Sequence, residues 1–159
     1  MTVTKILFVC HGNICRSPMA EFVMKRLVKE KGLEDEFEIA SVATNTEEIW
    51  NGKGNPVYPP ARAIMAEHGI DCSGKCAVQI KKTDGAYYDY IVGMDDSNFR
   101  NIKRMIDGKH HHKISLLMDN TICPRSVADP WYTGDFQKTW QDVNEGCMAL
   151  LKNILDTKE

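Results

Sequence analysis

The stretch Lys5-Ile6-Leu7-Phe8-Val9-Cys10-His11-Gly12-Asn13-Ile14-Cys15-Arg16-Ser17-Pro18 carries the two signals from which the fold is read. Its first half holds an unbroken apolar run, Ile6 to Cys10, of the kind that suits a strand covered on both faces, as in parallel sheets. Its second half turns at Gly12 and starts a helix. Serine supplies an oxygen to orphan amides and proline is tolerated in the first turn, so Ser17 and Pro18 launch a helix towards Lys31, with Gly32 as its stop.

Working outward, Phe37 to Val42 reads as a second strand. Ala43 to Pro59, with Gly52, Gly54, Asn55, Pro56 and Pro59, reads as a long irregular loop placed beside the functional site. Pro60 to His68 is a short helix stopped by Gly69, and Tyr88 to Met94 and Lys113 to Leu117 are strands with helix Asp96 to Met105 between them. Near the end, Phe136, Trp140, Val143, Cys147, Leu150 and Ile154 recur at alternating steps of four and three, giving one apolar helical face. Alternating strands and helices predict a single α/β domain over residues 1–159: three layers, with a four-stranded parallel sheet flanked by helices on both faces. Ligands of such folds sit at the carboxyl ends of the strands, where Cys10 lies.

Size and composition agree with one soluble core. The chain has 159 residues, 26% charged and 43% hydrophobic, with a net charge of -2, too apolar for a disordered chain. Without a basic excess, neither nucleic acid nor a membrane surface is an expected partner. The apolar run at the start is too short for a signal-peptide core or a membrane span. Six cysteines, at 10, 15, 72, 76, 123 and 147, then read as reduced thiols of a cytoplasmic protein. Cys72 and Cys76 could suggest zinc together with His110, His111 and His112, but no second ligand pair has standard spacing. The histidine run reads as a solvated loop, and no metal or cofactor is expected.

The strand-to-helix loop has the chemistry of an anion site. Unpaired amides and the helix dipole at a helix N-terminus attract a phosphate. Gly12 and Asn13 accept left-handed backbone angles, so the loop can curl its amides, from His11 through Gly12, Asn13, Ile14 and Cys15 to Arg16, into one nest. A cysteine in such surroundings has its thiol pKa lowered from about 8.5 to between about 3.5 and 7.5, which makes Cys10 a candidate nucleophile. Arg16 could make two parallel hydrogen bonds to phosphoryl oxygens, a geometry lysine cannot reproduce. Ser17 can cap the helix or donate to the sulfur, but not fully both.

Val9 to Pro18 closely resembles the signature of low-molecular-weight protein tyrosine phosphatases. Ser41-Val42-Ala43-Thr44, Glu67-His68-Gly69-Ile70, Met94-Asp95 and Asp129-Pro130-Trp131-Tyr132 resemble the family's later motifs in the same order. The resemblance implies hydrolysis of phosphotyrosine in proteins or peptides, and of small aryl phosphates, through a phosphocysteine on Cys10, with Arg16 as clamp and Asp129 as general acid and then base. Pro130 favours an extended Asp129, which aims its carboxyl from a loop. The resemblance also implies that Asn13, Ser41 and His68 form a hydrogen-bond network under the phosphate loop, with Ser17 in support, and that Trp131 and Tyr132 wall an aryl slot. It suggests further a reversible Cys10–Cys15 disulfide under oxidation.

This chain departs from the family where an aromatic rim residue usually follows Ser-x-x-Thr: it has Glu47 and Glu48, with Trp50 slightly later as a substitute rim residue. A monomer is expected. A protein-arginine phosphatase of the same family typically carries threonine in place of Ile14. A thioredoxin-coupled arsenate reductase needs two further cysteines where this chain has Gly93-Met94-Asp95-Asp96, and a phosphocysteine carrier of sugar transport needs neither Arg16 nor an Asp-Pro acid.

Overall fold

The computed structural model describes residues 2–158. Strand β1 (Thr4–Cys10) is followed by helix α1 (Arg16–Glu30) and strand β2 (Phe37–Ala43). A hairpin, β3 (Ile49–Trp50) and β4 (Lys53–Gly54), precedes α2 (Pro59–Glu67) and the short α3 (Asp84–Tyr87). Then come β5 (Tyr90–Gly93), α4 (Asp96–Met105), β6 (Ile114–Leu116), the one-turn α5 (Pro130–Thr133) and the long α6 (Phe136–Thr157). The main sheet has four strands in the order β2-β1-β5-β6, all parallel. The expected architecture is the observed one.

The alternation of side chains along β1 explains the two layers of helix. Ile6, Phe8 and Cys10 belong to one apolar cluster, with Met19, Val23 and Met24 of α1 and Val143, Cys147 and Leu150 of α6. Leu7 and Val9 belong to the other, with Ile102 of α4, Ile106 and Ile114. Because both faces of β1 are covered, the strand reads as a continuous apolar run. The face predicted for α6 is the buried one: Trp140, Val143, Cys147, Leu150 and Ile154 are all in the core.

Local boundaries differ from the sequence reading for identifiable reasons. Helix α1 starts at Arg16, so the capping position falls on Cys15, which makes no side-chain cap, while Ser17 lies inside the first turn with its hydroxyl 3.0 Å from the Cys10 sulfur. The region read as irregular contains the β3–β4 hairpin. Its turn residues, Asn51 (φ 50) and Gly52 (φ 76), are both left-handed, the type I′ arrangement that Asn-Gly favours. At Gly54, an added Cβ would lie 1.9 Å from the Ala77 carbonyl oxygen, and the two segments are joined by the Ala77 amide donating to the Asn55 carbonyl at 2.9 Å. The histidine run forms a 3-10 turn, Gly108–Lys113, rather than an open loop. No described helix is long and apolar enough to cross a membrane.

Candidate active site

The site begins at the carboxyl end of β1. The Cys10 Sγ lies 3.0 Å from the Ser17 hydroxyl and accepts from the Asn13 amide at 3.3 Å. Between them the chain reverses through Asn13, whose φ is 59. Gly12 is not left-handed; a Cβ there would sit 3.2 Å from Glu48 Cγ, so glycine keeps this edge clear of the neighbouring loop. Among the described residues, the amides of Gly12, Ile14, Cys15 and Arg16 have no hydrogen-bond acceptor. They lie at the N-terminal end of α1, where an anion is favoured.

Asn13 is held in its strained conformation from below. Its Nδ2 donates to Ser17 Oγ at 2.8 Å and to Ser41 Oγ at 2.9 Å, and its Oδ1 accepts from the Val78 amide at 3.1 Å. The Ser41 hydroxyl in turn donates to Glu21 Oε1 at 2.6 Å. Glu21 is only 5% exposed and pairs with Lys25 at 2.6 Å and Lys75 at 3.3 Å. Lys75 also donates to the Ser41 carbonyl at 2.8 Å. The network thus contains Asn13, Ser17 and Ser41, as the resemblance implied, but His68 stands elsewhere. Its ring stacks on Trp140 with centroids 4.1 Å apart and its Nδ1 lies 3.0 Å from the Ile64 carbonyl. Glu21 and Lys75 take the anchoring place. The sequence reading missed both, although Glu21 falls one helical turn after Ser17 on the same face of α1.

Arg16, 3% exposed, is tied across the site. One guanidinium nitrogen donates to Asp95 Oδ2 at 2.7 Å and to the Val127 carbonyl at 3.0 Å, and the other reaches Asp129 Oδ2 at 3.4 Å. Burial opposes its charge, but the Cys10 sulfur, Asp95 and Asp129 outweigh that and raise its pKa above the ordinary arginine value. Asp95 was read only as part of a motif. Its second oxygen caps α4 by accepting from the Asn98 amide at 2.8 Å, so one carboxylate fixes both helix and arginine. Asp129 is extended (φ -76, ψ 114) as the following proline requires, and it also caps α5, accepting from the Trp131 amide at 3.0 Å.

Above the sulfur is a pocket of about 130 Å3, lined by Cys10, His11, Gly12, Ile14, Cys15, Arg16, Glu47, Glu48, Asp129, Trp131 and Tyr132. Trp131 is backed by Tyr58, ring centroids 4.9 Å apart, and Tyr58 in turn stacks on Phe136 at 6.0 Å. Trp50 is not part of the lining. It stands on the hairpin, 80% exposed, while Glu47 and Glu48 take the rim. His11 Nε2 is 3.1 Å from Glu47 Oε2. Burial and the neighbouring Cys10 push the Cys15 thiol up to about 12. No group of three metal-ligating side chains occurs among the described residues.

Residues 5–159 match the family model described as low molecular weight phosphotyrosine protein phosphatase. The chain is 36% identical to the low molecular weight protein-tyrosine-phosphatase YfkJ of Bacillus subtilis, over 97% of each chain. A crystal structure of SP-PTP, a low molecular weight protein tyrosine phosphatase from Streptococcus pyogenes, superposes with a TM-score of 0.80 at 42% identity, covering 95% of this chain and 93% of that one. DARP, a Drosophila arginine phosphatase, superposes with a TM-score of 0.85 at 27% identity, covering 95% and 98%. With the signature loop, the sheet order and the match running almost from end to end, the chain belongs to the low-molecular-weight phosphotyrosine protein phosphatase family of hydrolases.

Proposed function

We propose that this protein hydrolyses phosphotyrosine in proteins or peptides, and small aryl phosphates, through a phosphocysteine intermediate. The observation that carries the reading is the Cys10 sulfur at the floor of the pocket, 3.0 Å from the Ser17 hydroxyl, with Asp129 on the same wall as the aromatic residues Trp131 and Tyr132. The Cys10 thiolate attacks phosphorus while the bond from phosphorus to the tyrosyl oxygen breaks. Asp129, entering as the acid, gives its proton to the departing oxygen. Arg16 and the loop amides take the charge on the equatorial oxygens. Water, losing its proton to the Asp129 carboxylate, then attacks the phosphocysteine, releasing inorganic phosphate and the Cys10 thiolate, which Ser17 stabilises by donating its hydroxyl.

Asp95 keeps Arg16 planar to the loop, and the network from Glu21 to Asn13 keeps the loop curled. Six free cysteines support a reducing, cytoplasmic compartment, and the protein acts as a monomer without a metal or cofactor. A peroxide oxidises the Cys10 thiolate to a sulfenic acid, Cys15 condenses with it to a disulfide with loss of water, and an added thiol reduces the bond back to two cysteines.

The test is turnover of p-nitrophenyl phosphate, a phosphotyrosine peptide, phosphoarginine and arsenate by the purified protein. Cys10→Ser abolishes hydrolysis, and Asp129→Asn lowers turnover of the phosphotyrosine peptide by about 10²- to 10⁴-fold. Undiminished activity in Cys10→Ser would refute the mechanism. A preference for phosphoarginine would move the substrate to that of the arginine phosphatase relative.

A further inference from the structure

A second depression begins where the phosphate pocket ends. It is an open groove of about 500 Å3, and Ile14 and Glu48 line both it and the pocket. From these shared residues it passes over Val57 and Tyr58 to Arg62 and Ala66 on the outer side of α2. The Tyr58 amide donates to the Ile14 carbonyl at 2.8 Å, so the groove wall and the phosphate loop are fixed to one another. A chain leaving the pocket over Ile14 meets this groove without a gap.

The groove is apolar along its length and charged at its ends. Glu48 stands at the pocket end, where its carboxylate accepts from Asn55 Nδ2 at 3.2 Å. Arg62 stands further out. It is exposed, and among the described residues its guanidinium has no hydrogen bond or ion pair, acting only through space on Asp71 and Cys72. A cation at the end of an apolar channel fits a carboxylate that arrives with an apolar stem or neighbour.

We propose that this groove is a subsite for the polypeptide that flanks the phosphotyrosine, taking an apolar side chain over Val57 and Tyr58 and an acidic side chain on Arg62. The inference rests on phosphotyrosine hydrolysis in the pocket. The two end charges make position decisive. An acid directly beside the phosphotyrosine faces Glu47 and Glu48 and is disfavoured, whereas one placed further along reaches Arg62 and is favoured.

The experiment measures kcat/KM at low salt for phosphotyrosine peptides in which one Asp moves from one to four residues away on either side of the phosphotyrosine, with Ala at that position as reference. p-Nitrophenyl phosphate, which has no flanks, serves as control. The unmodified protein favours Asp at a distant position on one side by about three- to fivefold, as suits an exposed charge pair. Arg62→Glu reverses that preference and Ala66→Trp, which fills the groove, lowers turnover of all the peptides, while both leave p-nitrophenyl phosphate turnover unchanged. An identical position profile in the unmodified protein and Arg62→Glu overturns the subsite. Failure to hydrolyse any phosphotyrosine peptide while p-nitrophenyl phosphate is consumed would instead overturn the substrate assignment, and the subsite with it.

Discussion

Asn13 uses three of its four side-chain hydrogen-bonding positions on Ser17, Ser41 and the Val78 amide, and this is what holds a non-glycine residue at φ 59. The stack beneath it ends in buried Glu21, and losing Lys75 leaves that charge to the half-exposed Lys25 alone and the Ser41 carbonyl without its donor. Lys75→Met therefore lowers stability by about 2–3 kcal/mol, read from the midpoint of urea unfolding, and Lys75→Arg restores most of it. The two pocket cysteines also separate. With its pKa near 12, Cys15 is a thiolate in fewer than about one molecule in ten thousand at neutral pH. Iodoacetate at pH 7 thus spares Cys15, as peptide mapping by mass spectrometry will show. Labelling of Cys15 begins only as the pH climbs towards that value. At this scale the sequence picked out Cys10, Arg16 and Asp129, which the fold brings to one pocket, because each stands inside a short motif. Glu21 and Lys75 were not legible: the first meets Ser41 across 20 positions and the second donates to it across 34, and no local pattern encodes such pairings.

Tyr58 links three elements. Its amide binds the phosphate loop at Ile14, while its ring supports Trp131 of α5 and packs on Phe136 of α6. Since α5 is capped by Asp129 itself, loosening Trp131 loosens the carboxyl proposed as the acid. Tyr58→Ala should slow phosphotyrosine, whose leaving oxygen needs a proton, about tenfold more than p-nitrophenyl phosphate, whose leaving group does not. Tyr58→Phe should retain the ratio. The strands, the helices and the buried face of α6 were readable because period-2 and period-3.6 patterns are local. The hairpin was readable too, in Asn51-Gly52 between Trp50 and Lys53, but the surrounding glycines and prolines made the region look irregular. Gly54, however, is required by the backbone of residue 77, which only the folded chain reveals. Gly54→Ala should cost about 2–4 kcal/mol of stability through that clash.

The four parallel strands and their two apolar layers place the site at the carboxyl end of the sheet. An oxyanion bound there stabilises the whole fold by mass action. Inorganic phosphate at about 100 times its Kd should add about 2.7 kcal/mol to the unfolding free energy, read as a raised Tm, and Arg16→Ala should lose that increment. The Arg16 bridge has a further consequence. The arginine emerges early in synthesis, but the groups that orient it, the Val127 carbonyl and Asp129, follow it by 111 and 113 positions. A chain ending before residue 127 should lack two of the three groups that fix Arg16 beside Cys10, and its purified form should not turn over p-nitrophenyl phosphate. The setting of the Cys10 sulfur is therefore completed by the last part of the chain to be made.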